Sequence, residues 1–183
     1  MKVVGRVMNA EEAKEEEAKG NFVVKEGEGY RRIVAAPKPV AIVEIDAIHA
    51  LADADQPVIA AGGGGIPVME QGSHLKGASA VIEKDRAAGL LAKELDADVL
   101  MFITGVPNVV LNYGSDHPIN IDKMTTAEAA RYAGEGHFKT GSMLPKVESS
   151  IDFINAGKGR RAIITSLDGA KSALAGKGGT TIQ

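Results

Sequence analysis

Cysteine is absent from the 183 residues, which excludes a disulfide framework, thiolate chemistry and any cysteine-held metal. Long apolar runs are absent too. No stretch reaches the roughly 18 apolar residues that a membrane-spanning helix needs, and the opening Met1-Lys-Val-Val-Gly-Arg6 has no apolar core of the kind found in secretion signals. These absences predict a soluble, cytoplasmic chain. Blocks of basic residues are missing and the formal net charge is −3, so neither nucleic acid nor a membrane surface is the expected partner. A small anionic ligand stays open, because local lysines matter more than net charge. The commoner nucleotide signatures are lacking as well: Gly176-Lys177 is followed by Gly178 rather than a hydroxyl residue, which rules out a P-loop, and no GxGxxG occurs. His49, His74, His117 and His137 show no metal-ligand spacing, and no nucleophile elbow is visible. No metal site is expected in the chain itself.

What is present is enough apolar material, 44% of residues, for one ordinary domain with a real core. Organisation changes near Pro37-Lys-Pro39. Before it, Asn9 to Lys19 reads as a charged helix, with Asn9 as cap, Glu12 completing a capping box and Gly20 as the stop. Strand-like pieces follow at Phe22-Val-Val and Tyr30 to Val34, so residues 1–36 look like a small α+β appendage, joined through residue 39 to a body of residues 40–183. The body begins with a helix over Glu44–Ala54, a buried strand over Pro57–Ala61 and the run Gly62-Gly-Gly-Gly65. Next come a helix over Lys84–Leu95 and strands over Val99–Thr104 and Val109–Asn112. Helices over Ala127–Ala133 and Pro145–Ala156 and a strand over Arg161–Thr165 complete it. Helices alternating with short apolar strands predict a mostly parallel sheet covered on both faces, with ligands at the carboxyl ends of the strands.

Those ends carry small or hydroxyl residues: the four glycines after Ala61, Thr104-Gly105, and Thr165-Ser166. Glycines let backbone N–H groups approach an anion closely, although four in a row can also be a flexible turn. Pro145 suits the first position of its helix, which puts Lys146 in a first turn where free N–H groups and the helix dipole attract anions. Lys84 repeats the arrangement at the start of its own helix, with Asp85 beside it. A cation there is locally unfavourable unless something negative binds. The plain alternatives are a solvated lysine at Lys146 and a simple helix cap at Asp85. Taken together, two lysines at helix starts, a carboxylate able to orient both and a glycine loop suit phosphoryl transfer, which needs positive charge and alignment more than covalent participation.

Six segments, in order along the chain, carry a family resemblance. Ala61-Gly-Gly-Gly-Gly-Ile-Pro-Val68, Ala80-Val-Ile-Glu-Lys-Asp85, Asn112-Tyr-Gly114, Gly136-His-Phe138, Gly141-Ser-Met-Leu-Pro-Lys146 and Arg161-Ala-Ile-Ile-Thr-Ser-Leu167 resemble the carbamate kinases. Tyr30-Arg-Arg-Ile-Val-Ala-Ala-Pro-Lys-Pro39 is similar to that family's connector from a protruding subdomain. The resemblance implies the amino-acid-kinase fold, a three-layer αβα sandwich that forms homodimers, here partial and with the α+β unit as its subdomain. It implies reversible phosphoryl transfer between ATP and carbamate, using ATP or ADP with Mg²⁺ and carbamoyl phosphate. Carried over position by position, Lys84 and Lys146 become the clamp lysines, Asp85 the residue that organises them, and Lys2 the subdomain's lysine. Gly62, Gly63, Gly64 and Gly65 would hold the substrate, and Thr104, Gly105, Asn112, Tyr113, Met143 and Lys146 the nucleotide.

Three departures accompany it. The family's first glycine-rich segment, with its Gly-Gly-Asn motif, has no counterpart among these residues. Thr104-Gly-Val-Pro107 carries proline where the family has aspartate, and Glu83 replaces the aspartate of Asp-Lys-Asp. Two expectations follow: a carbamate kinase, or a truncated or degenerate nucleotide-binding or dimerising remnant of one.

Overall fold

Asn9 divides the first strand from the first helix by local hydrogen bonding. In the computed structural model, which describes residues 1–183, its side chain accepts from the N–H groups of Glu11 and Glu12 while the Glu12 carboxylate accepts from the Asn9 N–H. This reciprocal pair satisfies donors that a helix start leaves free, and it opens α1 (Ala10–Ala18) where the sequence places it. Gly20 then turns the chain away at φ +84°. β1 (Lys2–Met8), β2 (Phe22–Glu26) and β3 (Gly29–Val34) form an antiparallel sheet of order β1-β3-β2 beside α1. A parallel bridge between Ala35 and Ala80, with the Val81 N–H donating to the Ala35 carbonyl, joins this unit to the body.

The body holds α2 (Ile45–Asp53), β4 (Val68–Gln71), β5 (His74–Gly77), α3 (Lys84–Glu94), β6 (Val99–Thr104), β7 (Val109–Leu111), β8 (Ile119–Ile121) and β9 (Lys123–Met124). It continues with α4 (Thr126–Gly134), α5 (Met143–Asn155), β10 (Arg161–Ser166), α6 (Ala170–Leu174) and β11 (Thr180–Ile182). Four strands form the central sheet in the order β6-β10-β11-β9. β6 and β10 run parallel, from Val99 opposite Arg161 to Thr104 opposite Ser166, whereas β10 and β11 are antiparallel. β11 and β9 are again parallel, so two of the three pairings are parallel, as the apolar runs suggested, and the antiparallel β10–β11 pair makes the sheet mixed. β9 and β11 are too short to give a strand pattern in the sequence.

Side chains alternate across a strand, and both faces of β10 are covered. Ala162 and Ile164 join Leu100 and Phe102 of β6 and Val147 and Phe153 of α5 in the main core. Ile163 and Thr165, on the other face, are equally buried. There a Cβ added to Gly179 would lie 3.0 Å from both Ala173 of α6 and Thr165. Helices on either side of the sheet make the αβα layering expected.

Two local expectations are corrected. Pro57–Ala61 forms no strand, and Ile59 is 100% exposed; a parallel strand needs a neighbour for its hydrogen bonds, and none of the 183 residues supplies one. Pro145 is the third residue of α5 and not the first, because the helix already starts at Met143. It remains within the turn whose N–H groups have no helical acceptor, so its missing donor costs nothing.

Candidate functional site

The register of β6 and β10 sets Thr104 and Ser166 side by side at the carboxyl end of the parallel pair. Over this region α3 and α5 cross closely at a glycine: a Cβ on Gly89 would lie 2.7 Å from that of Ser149. Arg86 of α3 pairs with Glu148 of α5 at 2.7 Å and braces the crossing.

Close approach brings the first turns of the two helices together. Lys146 Nζ donates to Asp85 Oδ2 at 2.7 Å, and both side chains are only 8% exposed. The Ser142 carbonyl lies 3.4 Å from the same ammonium, and the Phe102 ring centroid 6.0 Å away. An ammonium has three N–H donors, so one is left over. The Lys146 carbonyl is held too, accepting from Ser150 Oγ at 2.7 Å. Lys146 is thus no solvated surface lysine, and Asp85 accepts a cross-helix bond in place of capping its own helix. Burying such a pair costs several kcal/mol of desolvation per ion, so it is weak evidence of stabilisation.

Lys84, at the first position of α3, is exposed and forms no ion pair. Asp85 therefore orients one ammonium, not the two expected from sequence. The glycine loop reaches the same point from another side. Gly64 is buried at φ +136°, and a Cβ there would lie 2.0 Å from the Ile82 carbonyl oxygen, so only glycine fits. Gly62 and Gly65 also take positive φ. Lys2 arrives on β1, ion-paired with Glu83. Residues 82–85 thus touch the glycine loop, β1 and α5 in succession.

Of the nucleotide candidates, Thr104 and Gly105 end β6, and Met143 opens α5 packed against the core. Asn112, at φ +55°, and the exposed Tyr113 form a turn after β7, closed by the Ser115 N–H donating to the Asn112 carbonyl at 3.0 Å. No hydrogen bond links this turn to Thr104 or Met143. Two residues that the sequence reading named without giving them a site role stand out. Glu83 is one, its partner being 81 positions away. Thr165 is the other: its Oγ1 is buried without a hydrogen-bond partner, and the only hint was a hydroxyl residue at a strand end. Among the histidines, His49 bonds the Glu94 carbonyl at 2.9 Å and His137 lies beside Glu135 and the Tyr132 ring.

Such a site defines a class: an αβα protein that builds its polar centre from helix starts and a glycine loop, without a P-loop. Residues 7–166 match the model of the amino acid kinase family, and the chain belongs to that family. It is 48% identical over 183 residues to a carbamate kinase-like protein, YqeA, of Escherichia coli strain K12, an alignment covering 99% of this chain and 59% of that protein. It is 46% identical to a carbamate kinase of Clostridium perfringens, covering 99% and 58% respectively. Among solved structures, the carbamate kinase from Giardia lamblia bound to AMP-PNP superposes with a TM-score of 0.89 at 40% identity, covering 100% of this chain and 58% of that one. A protein of Aeropyrum pernix K1 superposes at 0.91 and also 40% identity, covering 100% of this chain and 59% of that one. The chain spans about three-fifths of the length of the curated relatives it matches. No helix is long and apolar enough to cross a membrane.

Proposed function

We propose that this chain is the nucleotide-binding part of a carbamate kinase, with residues 1–39 as the protruding subdomain and 40–183 as the body. The observation that carries the reading is the buried Lys146–Asp85 pair at two helix starts, a costly arrangement that suits a site receiving a phosphoryl anion. In the direction of ATP formation, a terminal phosphate oxygen of ADP attacks the phosphorus of carbamoyl phosphate. The bond from phosphorus to the carbamate oxygen breaks, and carbamate leaves with the electron pair. Lys146, held in place by Asp85, and the unpaired Lys84 neutralise the transferring group. Backbone N–H groups of Gly62–Gly65 cradle carbamoyl phosphate, and the nucleotide lies along Thr104-Gly105, Asn112-Tyr113 and the Met143–Lys146 turn. No cluster of three or more His, Asp or Glu is placed to hold a metal, so Mg²⁺ enters with the nucleotide as part of that substrate, as suits an ion held mainly by phosphates and water. The protein works in the cytoplasm as a homodimer. A coupled assay of ATP formation from ADP, Mg²⁺ and carbamoyl phosphate tests the reading, and absence of turnover by folded protein refutes it.

Pro107 favours a second reading, a non-catalytic nucleotide-binding remnant, because proline supplies neither a carboxylate nor an N–H at that point. On that reading ADP binds without turnover, and Pro107→Asp tightens ADP binding in calorimetry. Equal affinities would show the substitution to be silent.

A further inference from the structure

Glu83 stands at the N-cap of α3 but does not cap it: its side chain makes no bond to its own helix. The carboxylate turns instead to Lys2, the first residue of β1. The ion pairs of Arg6 with Glu12, Arg31 with Glu26 and Arg32 with Glu16 stay within residues 1–36, and the connector's Lys38 reaches Asp152 of α5 at 3.5 Å through side chains that are 63% and 65% exposed. The Lys2–Glu83 pair is the one that ties the three-stranded sheet to the start of α3. Its members are unequal, the Lys2 side chain being 42% exposed and that of Glu83 15%. A half-exposed pair adds little to folding stability, so its main effect is on where the ammonium sits.

That place is next to the candidate clamp. Glu83 directly precedes Lys84 and Asp85, and the backbone just before it, at Ile82, is pressed by Gly64. Lys146 is fixed by the α3–α5 frame, whereas Lys2 comes on a separate sheet joined to the body through the Ala35–Ala80 bridge. Building on the phosphotransferase reading, we propose that Glu83 is the positioning residue for Lys2: it holds the subdomain's ammonium at the start of α3, where carbamoyl phosphate meets it without a search by the subdomain. Glutamate suits this role better than aspartate. Its extra methylene reaches across to β1, whereas the shorter aspartate is a favoured N-cap that would bond its own helix.

The test uses the whole chain and three variants. Glu83→Gln keeps shape and removes charge, Glu83→Asp shortens the reach, and the exchange Lys2→Glu with Glu83→Lys restores a pair of opposite hand. Hydrogen exchange of the ligand-free protein should quicken in Lys2–Met8 for Glu83→Gln and Glu83→Asp, stay unchanged in α3 and α5, and return to the original rate in the exchanged pair. Calorimetry should show carbamoyl phosphate bound about tenfold more weakly by Glu83→Gln, the scale expected when a charged group loses its placement, with ADP affinity unchanged. Exchange in β1 that does not respond to Glu83→Gln overturns the positioning role and leaves the phosphotransferase reading standing. An original chain that binds ADP but no carbamoyl phosphate removes that reading, and with it the destination proposed for Lys2.

Discussion

Replacing Lys146 by methionine tests whether the α3–α5 centre exists for chemistry or for stability. The substitution keeps the unbranched stem and removes the ammonium, leaving Asp85 with a carboxylate that is 8% exposed and has no other hydrogen-bond partner. Breaking a buried pair from one side costs about 3–5 kcal/mol, whereas replacing both members by apolar residues of similar volume is often neutral or favourable. Against a total stability of about 5–15 kcal/mol, Lys146→Met should remove at least about a fifth of it. Lys146→Met with Asp85→Leu should return to within about 2 kcal/mol of the original. Urea unfolding followed by far-ultraviolet circular dichroism is the suitable assay, since the chain has no tryptophan. Function should not follow stability: turnover should stay down about 10²–10³-fold in both variants, the scale of one lost electrostatic donor. A loss below about 1 kcal/mol in the single variant, the range of exposed pairs, would refute the buried-pair account. So would a double variant no more stable than the single one, and recovered turnover in the double variant would refute the catalytic role of Lys146.

Gly89→Ala places a Cβ 2.7 Å from that of Ser149 and should cost about 1–3 kcal/mol as overpacking does, while weakening ADP binding by spreading the first turns of α3 and α5; unchanged thermal stability would show that the crossing yields freely. Acid should loosen α1 before the core. Glu12 is held below the ordinary carboxylate range by its bond from Arg6 and then by the Asn9 N–H, and Glu16 by Lys19. Both lowered groups stabilise fully above their unfolded values, and that contribution fades as pH falls through the lowered folded ones. Glu12→Gln should therefore flatten the acid response of the α1 amide signals, and an unaltered titration would count against this assignment. Finally, β6 lies at the edge of its sheet with Ile103 44% exposed, and Ile59 is wholly uncovered. Such edges and apolar surfaces invite association, so sedimentation should show dimers or larger species; a monomer with a cooperative thermal transition would contradict this.

Features fixed by near neighbours were legible in the sequence. The cap at Asn9 with Glu12, the stop at Gly20 and the apolar run of β10 need only a few residues each to be recognised. Pro57–Ala61 has the same apolar character and yet forms no strand, because hydrogen bonding to a neighbouring strand depends on residues elsewhere. Lys146 and Lys84 looked alike as lysines at helix starts. What separates them is the crossing at Gly89, which buries one against Asp85 and leaves the other in water, and no local pattern reports a crossing. The bond between Lys2 and Glu83 lay out of reach for the same reason. The six family segments contain Asp85, Lys146 and the glycine loop, but do not report which of their charges are already paired.

Lys146 is gripped at both ends, its ammonium by Asp85 and its carbonyl by Ser150. A free lysine side chain carries about 2 kcal/mol of rotamer entropy, which a mobile cation surrenders each time it meets an anion. Here that disorder is already lost when the chain folds, so on the proposed function an incoming phosphoryl group would find the charge stationary and need not arrest it. Lys84, with no partner, keeps its freedom and must still be stilled on each encounter. The two cations should therefore differ in temperature dependence, contact with Lys84 carrying an entropic cost that contact with Lys146 does not.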